Sequence, residues 1–153
     1  MKRDEEKNNS HSDNDAPEEN PRREEILALL KNCRTIAVVG LSDNPDRYSH
    51  KVASYLKAKG YRIIPVNPVK TEIMREKCYP DLSSIPEPVD IVDIFRAEEA
   101  IPGIVDEAIR IKAGAIWMQL GLSHNQSAIK ARAAGICVVQ NRCLMVQHER
   151  LLE

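Results

Sequence analysis

The chain has 153 residues, and its 22 Lys and Arg against 23 Asp and Glu leave a formal net charge of -1. A chain of this length usually forms one domain, and its near-neutral charge gives no general attraction to nucleic acid or to an anionic membrane. No apolar run approaches the roughly 20 residues that span a bilayer. The four cysteines lie far apart, without zinc-site spacing. We therefore expect a soluble cytoplasmic domain with free thiols and no metal.

The first 20 residues differ in composition from the rest of the chain. They contain almost no apolar side chains, and Asp and Glu outnumber Lys and Arg among them. Ordering such a segment costs backbone entropy that the burial of apolar surface does not offset. We expect a disordered charged tail at residues 1–20 and a folded domain at residues 21–153.

Five short apolar runs alternate with helical stretches after Pro21. They are Thr35–Val39, Arg62–Val66, Val89–Phe95, Ala115–Met118 and Ile136–Val139. Runs rich in β-branched residues are typical of a parallel sheet that is covered on both faces. We expect a single α/β domain with a Rossmann-like, doubly wound parallel five-stranded sheet, helices on both faces and strand order 3-2-1-4-5. Ser123 and Gln126 have the spacing of a capping box at one helix start.

The turn after the first predicted strand is a candidate phosphate site, because open parallel sheets bind ligands beside the carboxyl ends of their strands. Gly40, Leu41 and Ser42 form this turn, and Arg47 precedes the next helix. A glycine lets backbone amides approach a phosphate, and a helix amino terminus attracts anions. A lone glycine is weak evidence, since tight turns also use glycine. The other strand ends must support the interpretation.

The segment after the second strand lacks the acidic residue that binds the ribose hydroxyls in NAD-binding folds, and the GxGxxG pattern is absent. It reads Val66, Asn67, Pro68, Val69, Lys70. The prolines on either side of Asn67 hold the backbone extended. Lys70 offers a cation where a carboxylate would be expected. This pattern favours a ligand with a phosphate on its ribose.

Polar or glycine-containing turns also follow the other three strands. Phe95 and Arg96 follow the third, where a core aromatic residue and a surface arginine are an equally good interpretation. Gln119 and Gly121 follow the fourth. Cys143 follows the fifth and begins the last helix. It is either a small buried apolar residue or a reactive thiol that faces the ligand.

Six phrases occur in order between Thr35 and Leu152: VVGLSDNPDRYSH, GYRIIPVNPVKTEI, VDIVDIFRAEEAIPGIVDEAI, IWMQLG, NRCLM and HERL. In combination they resemble the small stand-alone CoA-binding proteins, which are kin to the CoA-binding domain of the succinyl-CoA synthetase α subunit. One departure is Tyr48, where many relatives carry proline.

The resemblance implies coenzyme A as the ligand and divides the site into two ends. The diphosphate and nucleotide would be lined by Gly40, Leu41, Ser42, Val66, Asn67 and Pro68. The pantetheine arm and its thiol would be bordered by Phe95, Arg96, Gln119 and Gly121.

The sequence does not indicate an enzyme, because it shows no Ser-His-Asp order, no P-loop and no HExxH motif. The favoured interpretation is a protein that binds coenzyme A or an acyl-CoA without catalysis, as a carrier, a sensor or a protector of the thiol. One alternative is a nicotinamide-dinucleotide-binding redox or sensor domain on the same fold, and another is an interaction module without a ligand. The acyl group and the oligomeric state stay open.

Overall fold

A five-stranded parallel sheet forms the centre of the computed structural model, which describes residues 20–152. Its strands are β1 (Thr35–Val39), β2 (Arg62–Val66), β5 (Ile91–Ile94), β6 (Ala115–Met118) and β7 (Cys137–Val139). The remaining strands, β3 (Glu72–Ile73) and β4 (Glu76–Lys77), pair as a short antiparallel hairpin. All positions of β1, β5 and β6 are buried, as helices cover both faces of the sheet.

Five α-helices pack on the two faces of this sheet. One face carries α1 (Arg23–Asn32), α2 (Tyr48–Ala58) and α5 (Leu144–Leu152), around a core that includes Ile36, Leu56 and Trp117. The other face carries α3 (Ile101–Arg110) and α4 (Asn125–Ala133), around a core that includes Val92 and Ile116. Short 3-10 turns lie at Leu82–Ser84 and Glu98–Ala100. The predicted Rossmann-like α/β fold is confirmed.

The strand order is β2-β1-β5-β6-β7, so the predicted order 3-2-1-4-5 is wrong. Pro65 explains the difference, because a proline has no N–H to donate and is suited to an edge strand. β2 accordingly pairs in this sheet with β1 alone. The reversal of strand order therefore falls between β1 and β5, which places the turn after Val39 beside the turn after Ile94.

The start of α4 also differs from the prediction. Its N-cap is His124, whose Nδ1 accepts a hydrogen bond from the backbone N–H of Ser127 at 3.2 Å. The predicted capping box of Ser123 and Gln126 is wrong, because the imidazole nitrogen takes the role expected of the serine hydroxyl. Gln140 Oε1 fixes this start by accepting from the backbone N–H of His124 at 2.8 Å.

Two further observations concern residues 20–152. None of their helices is both long and apolar enough to cross a membrane. Their His, Cys, Asp and Glu side chains form no group of three or more that would hold a metal ion. The predicted charged tail, apart from Asn20, lies outside the described residues.

Candidate functional site at the carboxyl edge of the sheet

A cleft of about 370 Å³ opens at the carboxyl edge of the sheet, where the strand order reverses. It is lined by Gly40, Leu41, Ser42, Asp43, Arg47, Asn67, Pro68 and Arg96. All of these except Asp43 belong to the site predicted from the strand ends. The structure thus brings the turns after β1, β2 and β5 together in one place.

Gly40 sits at the junction of these three turns. Its φ is +91°, and a Cβ at this position would lie 2.7 Å from the carbonyl oxygen of Phe95 and 2.9 Å from Cδ of Arg96. Its backbone N–H donates to the carbonyl of Val66 at 3.1 Å. Only glycine combines this left-handed backbone with so close an approach to neighbouring chain. Val66 itself is buried, and its carbonyl serves to hold this turn.

The loop from β1 to α2 is held in shape by its own side chains. The backbone N–H of Ser42 donates to Ser49 Oγ at 3.0 Å, and Ser42 Oγ accepts from the N–H of Asn44 at 3.0 Å. α2 then begins after Arg47, without an acidic residue in its first turn. The helix amino terminus and Arg47 therefore add positive potential beside the cleft.

Leu41 and Asn67 shape the cleft through the backbone. Leu41 is fully buried and forms the floor of the cleft. Asn67 Nδ2 donates to the Leu41 carbonyl at 3.1 Å, and Asn67 Oδ1 accepts from the backbone N–H groups of Val69 and Lys70 at 2.8 and 3.1 Å. The Asn67 amide thus holds the turn after β2 against the turn after β1.

The charged side chains around the cleft are mostly basic. Arg47 and Arg96 are exposed and line it. Lys70 Nζ lies at the rim, 3.0 Å from Asp43 Oδ2, and about half of each side chain is exposed. An ion pair so open to solvent is weak. A phosphate in the cleft therefore competes readily with Asp43 for Lys70.

Arg96, which was expected beside the pantetheine arm, lines this cleft, whereas Gln119, Gly121 and Cys143 do not. Tyr48 lies between Phe95 and Cys143. Its ring packs edge-on against Phe95 with the centroids 6.4 Å apart, and its hydroxyl shares a hydrogen bond of 2.7 Å with Cys143 Sγ. Burial, followed by the hydrogen bond to Cys143, raises the pKa of Tyr48 to about 12. The protonated Tyr48 therefore closes the space between Phe95 and Cys143 at neutral pH.

The last two strand ends hold Gly121 and Cys143. Gly121 is exposed, and its N–H donates to Asn141 Oδ1 at 2.7 Å. Cys143 is only 4 % exposed and directly precedes α5, where its carbonyl accepts from the N–H of Gln147 at 3.0 Å. The Cys143 thiol is thus reachable only when Tyr48 moves.

Sequence reasoning missed Asp93, a fully buried acid in β5. Its Oδ1 accepts from Gln119 Nε2 at 2.7 Å, while Asp93 Oδ2 and Gln119 Oε1 are buried without a hydrogen-bond partner. Burial raises the pKa of Asp93 to about 7, although the bond from Gln119 opposes the rise. The signal available in the sequence is a second acid inside the apolar run VDIVDIF.

A larger groove of about 550 Å³ lies at the opposite edge, beside the amino ends of β1 and β2. Its lining includes Lys31, Arg34, Lys59 and Arg62. The Arg62 guanidinium is bound by Glu87 through two hydrogen bonds of 2.7 Å. Because open parallel sheets bind ligands at the carboxyl edge, we place the candidate site in the smaller cleft.

Comparison with known proteins points to one family. A model of the CoA binding domain matches residues 34–149. An uncharacterized protein of Bacillus subtilis, YneT, is 39% identical over 130 residues, which are 85% of this chain and 96% of that protein. The solved structure of a hypothetical protein from Pyrococcus horikoshii aligns with a TM-score of 0.84 and 37% identity, covering 87% of this chain and 94% of that one.

A third relative is a much larger enzyme. The acetate–CoA ligase (ADP-forming) II of Archaeoglobus fulgidus is 32% identical over 94 residues, which are 59% of this chain but only 14% of the ligase. The similarity therefore concerns one part of that enzyme.

Proposed function

The chain belongs to the CoA binding domain family, and on this premise we propose that it binds coenzyme A or an acyl-CoA at the carboxyl edge of its sheet, without turnover. The diphosphate lies against the backbone of Gly40, Leu41 and Ser42, and Arg96 and Lys70 supply cations to the phosphates. The N–H groups of Gly40 and Ser42 are already bonded to Val66 and Ser49. The arginine side chains and the positive amino terminus of α2 are therefore the groups that attract the phosphates.

The observation that carries the proposal is the cleft around Gly40. A Cβ there would collide with the Phe95 carbonyl, so glycine is what lets the turn after β1 lie this close to the turn after β5 at the wall of the cleft. The cleft also receives two arginine side chains and the amino terminus of α2. A cleft of this composition suits a dianionic group carried on an extended ligand.

The pantetheine arm would leave the cleft past Phe95 and run toward Gln119 and Gly121. Tyr48 lies across this route through its contacts with Phe95 and Cys143. Binding therefore displaces the Tyr48 side chain, which is already 45% exposed, from its contacts with Phe95 and Cys143. Its displacement uncovers Cys143 at the thiol end of the ligand.

The lack of turnover separates this chain from the ligases that share its fold. In our proposal the protein binds the ligand without transforming it, and acts as a carrier, a sensor or a protector of the thiol. Incubation of the protein with acetyl-CoA tests this by release of free thiol. We expect no release above the buffer rate, and catalytic release in proportion to protein concentration would contradict the proposal.

Titration calorimetry tests binding and its location together. We expect coenzyme A to bind more tightly than dephospho-CoA, which lacks the ribose phosphate, and NAD to bind least. Arg96→Gln should weaken the binding of coenzyme A by roughly ten- to a hundredfold, because one charge-assisted hydrogen bond contributes about 1.5–3 kcal/mol. Arg110→Gln is the matched control, since Arg110 is an exposed arginine at the far end of α3.

Two results would overturn the proposal. Tighter binding of NAD than of coenzyme A would favour the nicotinamide-dinucleotide alternative. Equal losses in Arg96→Gln and Arg110→Gln would show that the cleft is not the binding site.

A further inference from the structure

Asp93 and Gln119 form a side-chain pair that is one hydrogen bond short of completion. Gln119 Nε2 donates to Asp93 Oδ1 at 2.7 Å. The two remaining oxygens, Asp93 Oδ2 and Gln119 Oε1, are both buried and both lack a partner. Each is an acceptor in the ionised form of the pair, so neither satisfies the other. Buried polar atoms left in this state are costly and rare.

We propose that Asp93 carries a proton on Oδ2 in the folded protein and donates it to Gln119 Oε1, which closes a neutral acid–amide pair beneath the thiol end of the site. One proton satisfies both unpartnered oxygens. A carboxylic acid and a primary amide match in this way, because each offers one donor and one acceptor on the same side.

The surroundings of Asp93 favour the neutral form. On the sheet its register neighbours are Val38 of β1 and Trp117 of β6, and neither titrates. From α2 the neighbouring titratable group is Tyr48, and Cys143 at the start of α5 is bonded to that same hydroxyl. Within the described residues no basic group acts on Asp93, and its raised pKa comes from burial. An ionised Asp93 would thus be an uncompensated buried charge.

The pair makes Asp93 a positioning residue for Gln119. Asp93 holds the Gln119 amide in one orientation, and Gln119 is a predicted neighbour of the ligand thiol. This consequence rests on the proposed function. Coenzyme A is a polyanion, so it binds more tightly to the protein in which Asp93 is protonated and uncharged. By linkage, ionisation of Asp93 weakens binding.

Asp93→Asn is the decisive variant, since asparagine keeps one acceptor and one donor and mimics the protonated acid at every pH. Calorimetry should give equal affinity for coenzyme A in wild type and Asp93→Asn at about pH 6. Above about pH 7 the wild type should weaken relative to the variant, by up to tenfold per pH unit. This ratio cancels the titration of the ligand phosphates. Asp90→Asn is the control, because Asp90 Oδ2 already accepts from the backbone N–H groups of Arg34 and Thr35.

A second measurement needs no ligand. The infrared spectrum of the wild type at about pH 6 should contain the carbonyl band of a buried carboxylic acid, absent from Asp93→Asn and retained in Asp90→Asn. Absence of the band would overturn the proton assignment, and so would a wild type that already binds coenzyme A more weakly than Asp93→Asn at about pH 6. If coenzyme A binds to no variant at any pH while the band is present, the proposed function fails and the proton assignment stands.

Discussion

The two ends of the candidate site differ in how complete they are without a ligand. At the nucleotide end, the turns after β1 and β2 are joined by the Gly40–Val66 and Asn67–Leu41 hydrogen bonds, and a cleft is already open. At the thiol end, Tyr48 fills the space against Phe95 and Cys143, and the Asp93–Gln119 pair is satisfied through the proton that we propose on Asp93.

This difference indicates which part of the ligand is recognised first. In the proposed binding mode, the preformed nucleotide end loses little conformational entropy, so we expect the phosphates to supply the initial affinity. The thiol end must exchange its internal contacts for contacts with the ligand. In the proposed binding mode, the thiol end therefore governs access to the thiol, and it affects affinity through the protonation of Asp93.

The largest expected effect comes from filling the nucleotide end. Gly40→Ala places a Cβ 2.7 Å from the Phe95 carbonyl on a backbone of positive φ. We expect loss of measurable coenzyme A binding and a stability loss of about 1–3 kcal/mol from overpacking. Calorimetry and thermal unfolding measure the two effects.

Gly103→Ala is the matched control for that substitution. A Cβ at Gly103 meets nothing within 4 Å, and the residue lies in α3. Alanine there should leave binding intact and preserve or slightly raise stability, because it favours helix more than glycine does. Equal behaviour of the two variants would show that the close approach at Gly40 has no role.

The next effect belongs to the thiol end and appears as a pH dependence of stability. The folded pKa of Asp93 is raised to about 7, above an unfolded value of about 3.9. The folded state therefore binds more protons between these values, and the free energy of unfolding falls as pH rises from about 4 to about 7, by at most about 1.4 kcal/mol per unit.

Chemical denaturation across this pH range measures the slope. The difference between wild type and Asp93→Asn isolates the contribution of this one group, and the variant should become the more stable protein above about pH 7. A constant difference at all pH values would contradict the assignment of a proton to Asp93.

The last prediction concerns a disulfide exchange at Cys143, for which we expect the smallest change in stability. Coenzyme A disulfide in the site would exchange with the Cys143 thiol, giving a mixed disulfide and one free coenzyme A thiol. Intact mass spectrometry should show one adduct that reducing agent removes and that Cys143→Ser abolishes. Tyr48→Phe should speed its formation, as it removes the hydrogen bond that holds the sulfur.

Cys33→Ser is the control for nonspecific reaction. Burial raises the pKa of Cys33 to about 12, so this thiol should not react. An adduct that persists in Cys143→Ser, or that never forms although coenzyme A binds, would show that Cys143 is only a packing residue.

The nucleotide end was largely predictable from the sequence, and the thiol end was not. β-Branched runs identify the five parallel strands, and their neighbouring turns identify Gly40 and Asn67 without knowledge of the fold in detail. The predicted strand order was wrong. Pro65 in β2 is a sequence signal for an edge strand, and it could have indicated the observed order.

The thiol end depends on contacts between residues far apart in the chain. Tyr48 meets Cys143 across 95 positions, and Asp93 meets Gln119 across 26. Nothing in local sequence pattern predicts such pairs. The apolar run VDIVDIF predicts a strand that includes Asp93. The run does not show whether this buried acid finds a hydrogen-bond partner, and the pair with Gln119 was therefore not predicted.

The most direct test of binding at the carboxyl edge is the mapping of amide shifts by NMR while coenzyme A is added to the nitrogen-labelled protein. The cleft predicts the largest changes at Gly40, Ser42 and Arg96, with smaller changes near Gln119 as Tyr48 moves. The larger basic groove at the other edge, around Arg34 and Gly60, should be unaffected. Changes concentrated at Arg34 and Gly60, with Gly40 and Arg96 unmoved, would contradict the account.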